Sequence, residues 1–144
     1  MEGHLDQSEL AGIVAQALPA EELRGKRILL IVPDATRTCP LGMVFREVHR
    51  QLHGEVSALD VMIALGTHAP MSEEAICARL EISAEERAGR YASVRFHNHE
   101  WDNPSALRRI GFLTAEETSE LSGGRFSMEV PVDINARLFD YDEI

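Results

Sequence analysis

The chain has 144 residues, enough for one domain with a single core and too few for two. Apolar residues at 44% and charged residues at 26% give the balance of a soluble globular protein and exclude a disordered one. A net charge of −10, from 24 acids against 14 bases, argues against nucleic acid as a partner, because such binders concentrate positive charge.

Ser8 is placed to cap a helix whose apolar positions Leu10, Ile13, Val14, Ala17 and Leu18 follow the 3.6-residue period, with Pro19 ending it. After Gly25 the run Arg27-Ile28-Leu29-Leu30-Ile31-Val32-Pro33 is continuous and β-branched, which predicts a strand covered on both faces. It breaks into the polar loop Asp34-Ala35-Thr36-Arg37-Thr38, and Pro40 then opens a helix carried by Leu41, Val44, Phe45, Val48 and Leu52 up to Gly54. A second strand, Leu59 to Leu65, gives way to Gly66-Thr67-His68-Ala69-Pro70. Ser72 with Glu74 and Ala75 opens a helix through Ile76 and Leu80, and a charged stretch follows from Glu81 to Arg90. Tyr91 to Phe96 alternates, which predicts an edge or half-exposed strand leading into His97-Asn98-His99-Glu100-Trp101-Asp102. Arg109 to Leu113 reads as a strand and Met128 to Ile134 as a last one. Between them Thr114 and Glu117 have capping-box spacing for a short helix to Leu121, stopped by Gly123-Gly124.

Strands alternating with helices predict an α/β fold: a mostly parallel sheet flanked by helices, a Rossmann-like three-layer unit whose sheet is incomplete. Ligands of such folds sit beyond the carboxyl ends of the strands, where the loops 34–38, 66–70 and 97–102 fall. No apolar run approaches the roughly 20 residues of a membrane span. The opening MEGHLDQSEL is acidic where a signal peptide is basic and then apolar, so a cytoplasmic protein without a membrane partner is expected. Cys39 and Cys77 read as free thiols, lacking the C-x-x-C spacing of a redox or zinc site.

The loop Asp34-Ala35-Thr36-Arg37-Thr38 joins an arginine fork, hydroxyls and the amides of a helix start, which suits a phosphate or carboxylate. The same residues read equally as caps beside a surface arginine. No Walker or G-x-G-x-x-G motif is present. His68 follows a glycine turn directly after a strand, where an imidazole exchanges protons near neutral pH, or is simply solvated. His97 and His99 fall on one face of an extended backbone and can share a metal with Glu100 or Asp102. That spacing leaves a metallohydrolase open as an alternative, as the anion loop leaves open a nucleotide-binding or protein-binding module.

Taken together, the loops resemble the nickel-pincer lactate racemase family. Asp34-Ala35-Thr36-Arg37 with Pro40 is similar to its D-x-T-R-x-x-P segment, Ala64 through Glu74 to A-L-G-T-H-R-P-M-T-x-E-E, and Asn98-His99-Glu100 through Asp102 to N-H-D-x-x-D. Val130 to Asn135 resembles the strand that follows, so the resemblance runs from Arg27 to Ile144. It implies a racemase or epimerase acting on a small 2-hydroxy acid. The implied cofactor is a nickel-pincer nucleotide, nickel pyridinium-3,5-bisthiocarboxylate mononucleotide, which takes a hydride from Cα while a histidine takes the hydroxyl proton. By match, His68 is one of two such bases, Asp34, Ala35, Thr36 and Arg37 form the cofactor-binding loop, and His99 and Asp102 have a supporting part.

The departures are as informative. Ala69 stands where the family commonly has arginine, which leaves the substrate open. Gly123-Gly124-Arg125-Phe126 is similar to the S-G-G-x-K anchor but has Phe126 in place of lysine, and the single lysine, Lys26, precedes the first strand. The family's second histidine base, cofactor-bonded lysine, nickel-ligating histidine and carboxyl-terminal domain have no counterpart in the matched segment. The expectation is therefore that residues 1–144 are the amino-terminal portion of a racemase-like catalytic region, without a second domain and inactive alone. The unfinished last strand predicts an exposed apolar sheet edge that pairs with another copy or with a companion chain.

Overall fold

The structure, a computed structural model, describes residues 6–144. The first helix, α1, spans Gln7–Ala17, and its cap is Asp6 rather than Ser8: the Asp6 carboxylate accepts from the amides of Ser8 and Glu9 while Glu9 reaches back to the Asp6 amide. Aspartate serves the cap as well as serine does, and Glu9 at the third helical position completes the box. A single turn, α2 (Ala20–Leu23), leads through Gly25, which takes a φ of +74° that glycine alone adopts freely, into β1 (Arg27–Pro33). The chain continues through α3 (Leu41–Leu52), β2 (Ala58–Ala64), α4 (Glu73–Arg79) and α5 (Ala84–Ala88) to β3 (Phe96–Asn98). Both short helices are capped by serine, Ser72 on α4 and Ser83 on α5, the latter in a capping box with Glu86. Within the stretch Glu81 to Arg90, that S-x-x-E signature sits among charges and forms a helix.

The three strands form one parallel sheet in the order β1-β2-β3, so the fold is α/β with a parallel sheet flanked by helices. Ile28, Leu30 and Val32 of β1 share a face with Leu59, Val61 and Ile63 of β2, because side chains alternate along a strand. The helices cover that face in two clusters. Leu10, Val14, Val48 and Leu52 close one end, and Phe45, Leu41, Ile76, Leu80, Tyr91 and Val94 close the other. Each such side chain, fully removed from water, contributes about 1.5–3 kcal/mol.

The opposite face holds a different interior. Asp60 is completely buried and accepts from the Arg95 amide at 2.9 Å, from Arg95 Nε and Nη2 at 2.9 and 2.6 Å, and from the Tyr141 hydroxyl at 2.7 Å. Burial pushes its carboxyl up, but the Arg95 and Tyr141 hydrogen bonds outweigh it and hold Asp60 below the usual carboxylate range. Tyr141 in turn is pushed up to about 12 by burial and by that carboxylate. The network draws residues 141–143 along β1, where Leu29 N–H donates to Glu143 O at 3.0 Å and Lys26 pairs with Glu143 at 2.6 Å. Ile31, on the same face beyond this bridge, remains 47% exposed, so β1 is not covered on both faces throughout.

Two further expectations change. Tyr91 to Val94 is a pair of turns, not a strand: Ala92 N–H bonds to Gly89 O and Val94 N–H to Tyr91 O, so Tyr91 and Val94 bury together at a spacing of three. The strand proper begins at Phe96, and as expected it lies at the sheet edge. The remaining strands do not join the parallel sheet. After a 3-10 turn at Pro104–Ala106, β4 (Leu107–Leu113), α6 (Ala115–Leu121) and β5 (Val130–Asn135) form a separate antiparallel pair with a bulge between Arg109 and Gly111. Thr114 and Glu117 make the expected capping box. Gly123 and Gly124, at φ of +64° and +77°, turn the chain back, and a second 3-10 turn, Ala136–Asp140, leads to Tyr141.

Candidate functional site

The loops that follow β1, β2 and β3 meet at the carboxyl end of the parallel sheet. Asp34, the residue after β1, is buried at 6% exposure. Its Oδ1 accepts from the Thr36 amide at 3.0 Å and the Thr36 hydroxyl at 2.5 Å, an Asx turn that fixes the carboxylate. Its Oδ2 lies 2.5 Å from His68 Nδ1. The Thr36 hydroxyl and the His68 ring, helped by the Thr36 amide, hold the Asp34 carboxyl down to about 2 against the opposing effect of burial.

Gly66, at a φ of +58°, turns the chain sharply after β2 and brings His68 back over Asp34, with His68 N–H bonded to Leu65 O at 3.1 Å. An ionised carboxylate can only accept, so His68 Nδ1 carries the proton and the neutral ring keeps its lone pair on Nε2. The His68 side chain is 57% exposed, and Nε2 has no hydrogen-bond partner among the described residues. The result is an outward-facing base on a buried carboxylate, in the arrangement by which acid–base histidines are oriented.

Asn98, the last residue of β3, clamps the loop that carries His68. Its Oδ1 accepts from the Met71 amide at 3.0 Å and its Nδ2 donates to the Met71 carbonyl at 2.9 Å. His99 extends the β2 ladder through its amide to Ile63 O at 3.0 Å, and its Nδ1 lies 3.0 Å from Asn135 Nδ2, at the end of β5. His97 instead faces Tyr141, with Nε2 3.3 Å from the hydroxyl, and burial and the Arg137 charge lower its pKa. The two histidines are thus engaged separately. Among the described residues no three His, Cys, Asp or Glu side chains converge on a point that would hold a metal.

Of the loop expected to hold an anion, Ala35, Thr36 and Arg37 are exposed and Asp34 lies beneath them. The Arg37 carbonyl accepts from Arg79 Nη2 at 2.8 Å, which ties the loop to α4. The Arg37 guanidinium has no partner among the described residues. A cavity of about 330 Å³ opens beside His68, walled by residues 67–70 and 99–102. A larger one, about 840 Å³, lies at the side of α3, among the ion pairs Arg46–Glu81 and Arg50–Glu47. Asp60 stands out only in the structure, as does the clamp that Asn98 makes on Met71. The signal for Asp60 was a lone carboxylate inside the apolar run Leu59 to Leu65, which has to find partners when buried.

Comparison with curated proteins finds no match. Among solved structures, a crystal structure of a protein from Thermotoga maritima is similar at 31% identity and a TM-score of 0.79, over 99% of this chain and 33% of that one. The chain therefore spans about a third of the length of that relative. No helix among the described residues is long and apolar enough to cross a membrane. Residues 10–144 match the lactate racemase N-terminal domain, and the chain belongs to that family.

Proposed function

We propose that the chain forms one half of the active site of a nickel-pincer-nucleotide-dependent 2-hydroxy acid racemase or epimerase, with His68 as a proton-transferring base. The observation that carries this reading is the Asp34–His68 pair at 2.5 Å, set at the sheet's carboxyl end with Nε2 outward. His68 Nε2 takes the proton of the substrate's hydroxyl. The imidazolium so formed lies against the ionised Asp34, which favours the charged ring at that step, and Nε2 then returns the proton. Thr36 keeps the carboxylate oriented, and the Asn98 clamp keeps the 66–72 loop in register with it.

The described residues fit the nucleotide in part. The unpartnered Arg37 guanidinium and the small Ala35 on an exposed loop suit its phosphate, whereas the side chains present offer no ligand set for the nickel. When bound, that cofactor supplies the acceptor for the hydride of Cα. Inversion returns the hydride to the opposite face of Cα, with the oxygen presented to a second base in the scheme that the family resemblance implies, and only one carboxylate-held histidine of this kind stands among the described residues. The chain by itself is accordingly inactive. Its free cysteines, Cys39 and Cys77, are consistent with the reducing cytoplasm.

Titration of the isotope-labelled chain with nicotinate mononucleotide, a pyridinium mononucleotide, tests the reading. The amides of Ala35 to Thr38 are expected to shift saturably, and Arg37→Ala to weaken binding by about tenfold. Shifts confined to other regions would contradict it, as would sustained change in optical rotation when the chain is given the complete nickel cofactor and a 2-hydroxy acid.

A further inference from the structure

The hydrogen bonds around His99 decide which of its ring nitrogens holds the proton. Asn135, at the end of β5 and only 5% exposed, gives its Oδ1 to the Arg137 amide at 2.9 Å. The atom 3.0 Å from His99 Nδ1 is therefore the Asn135 Nδ2, which can only donate, and His99 Nδ1 is the acceptor. In the neutral ring the proton then sits on Nε2, and the lone pair that a base needs is already engaged. His68 is held the other way round, because its carboxylate partner can only accept where the Asn135 amide donates. The loops that follow β2 and β3 thus carry histidines in opposite tautomers, one with a free lone pair and one with a free N–H.

That N–H is unspent. His99 Nε2 has no hydrogen-bond partner among the described residues, and the next carboxylate in the chain, Glu100, accepts from Asn103 Nδ2 at 2.7 Å instead. The ring is half-buried and anchored twice, through Nδ1 and through its own amide, which donates to Ile63 O at 3.0 Å. A donor fixed in this way suits an oxygen that is to be held in place rather than deprotonated.

We infer that His99 is a hydrogen-bond donor to an oxyanion bound at the carboxyl end of the sheet, and that Asn135 is the positioning residue that keeps it one. His99 is accordingly not the second base of the inversion. The oxyanion is the carboxylate of the hydroxy acid or the phosphate of the mononucleotide. The inference rests on the reading of this sheet end as a racemase site.

Lactate and nicotinate mononucleotide, titrated separately into the isotope-labelled chain, test it. Before either is added, the nitrogen shifts of the neutral His99 ring are expected to show the proton on Nε2. Asn135→Asp still caps the Arg137 amide but offers His99 an acceptor, so it is expected to move that proton to Nδ1. The probe that shifts His99 Nε2 saturably at the lower concentration identifies the source of the oxyanion. For that probe, His99→Leu is expected to weaken binding about tenfold, and His99→Gln, whose amide stands in for the Nε2–H, to restore most of it. If the bond only joins β5 to β3, both variants lower the thermal midpoint and leave binding unchanged, which overturns the inference. A wild-type proton on Nδ1 overturns it as well. When the Ala35 to Thr38 amides respond to the mononucleotide and His99 is silent to both probes, the inference fails and the proposed function stands. When neither the amides nor His99 respond, both fail.

Discussion

With Asp34 ionised above a pH of about 2, the neutral His68 ring holds its proton on Nδ1 and turns the lone pair of Nε2 toward the cavity. Asp34→Asn keeps the shape but allows either tautomer, so histidine nitrogen shifts should change from one clean pattern to a mixture. The linkage has a definite sign. The folded-state pKa of Asp34 lies below its ordinary value, so its stabilising contribution is complete above about pH 4 and is lost as pH falls toward 2. Acid unfolding of Asp34→Asn should therefore lack the part of the wild-type loss that occurs between those values. His49 behaves differently. It is buried at 4% exposure with Nε2 unpaired, and burial, with the charges of His53 and Arg90, depresses it to about 4. The unfolded chain then binds a proton that the folded chain refuses between about pH 6.5 and 4, so stability falls as pH falls through that window. His49→Gln should remove this slope, worth on the order of 1–2 kcal/mol after screening, as read from urea midpoints at pH 7 and pH 4.5.

The strands and helices that place the site rest on local agreement between sequence and shape, with two contacts that are not local. Asn98 joins β3 to the 66–72 loop by two hydrogen bonds to Met71. Asn98→Ala should cost about 1–2 kcal/mol and raise hydrogen exchange at the Met71 amide, whose acceptor it removes. Gly42 in α3 lies against Glu81, where an added Cβ would come within 2.8 Å of the Glu81 Cβ and 2.5 Å of its carboxylate. Gly42→Ala should displace Glu81 from Arg46 and destabilise by about 1–3 kcal/mol, seen as a lower thermal midpoint. The apolar runs of β1 and β2, the proline opening α3 and the caps Ser72 and Thr114 were all legible, because each is decided by residues a few positions apart. Tyr91 to Val94 was not. Its alternation fits a strand, but the buried side of α3 recruits both Tyr91 and Val94, and packing prevails over a short pattern. The meeting of Asp34 with His68 was legible as two polar loops at strand ends, whereas the Asp60–Arg95–Tyr141 network spans 81 residues and leaves only one misplaced charge as its trace.

At the scale of the molecule, covering is uneven. The parallel sheet has a dense helix-covered face, while the β4–α6–β5 unit leaves Ile110, Phe112, Leu121, Phe126 and Met128 about half exposed or more. A two-stranded pair gains little stability on its own, and apolar surface gathered on one unit binds hydrophobic dyes. Strong fluorescence of such a dye is expected from the free chain, and Leu121→Glu with Phe126→Glu and Met128→Glu should reduce it several-fold without altering the His68 signals. The proposed chemistry depends on one arrangement, a base oriented by a buried carboxylate. Its most direct test is the nitrogen spectrum of the neutral His68 ring in wild-type and Asp34→Asn chains. A protonated Nδ1 with a bare Nε2 in the wild type, lost in the variant, is the predicted result; a proton on Nε2 in the wild type, or spectra that the substitution leaves unchanged, would contradict it.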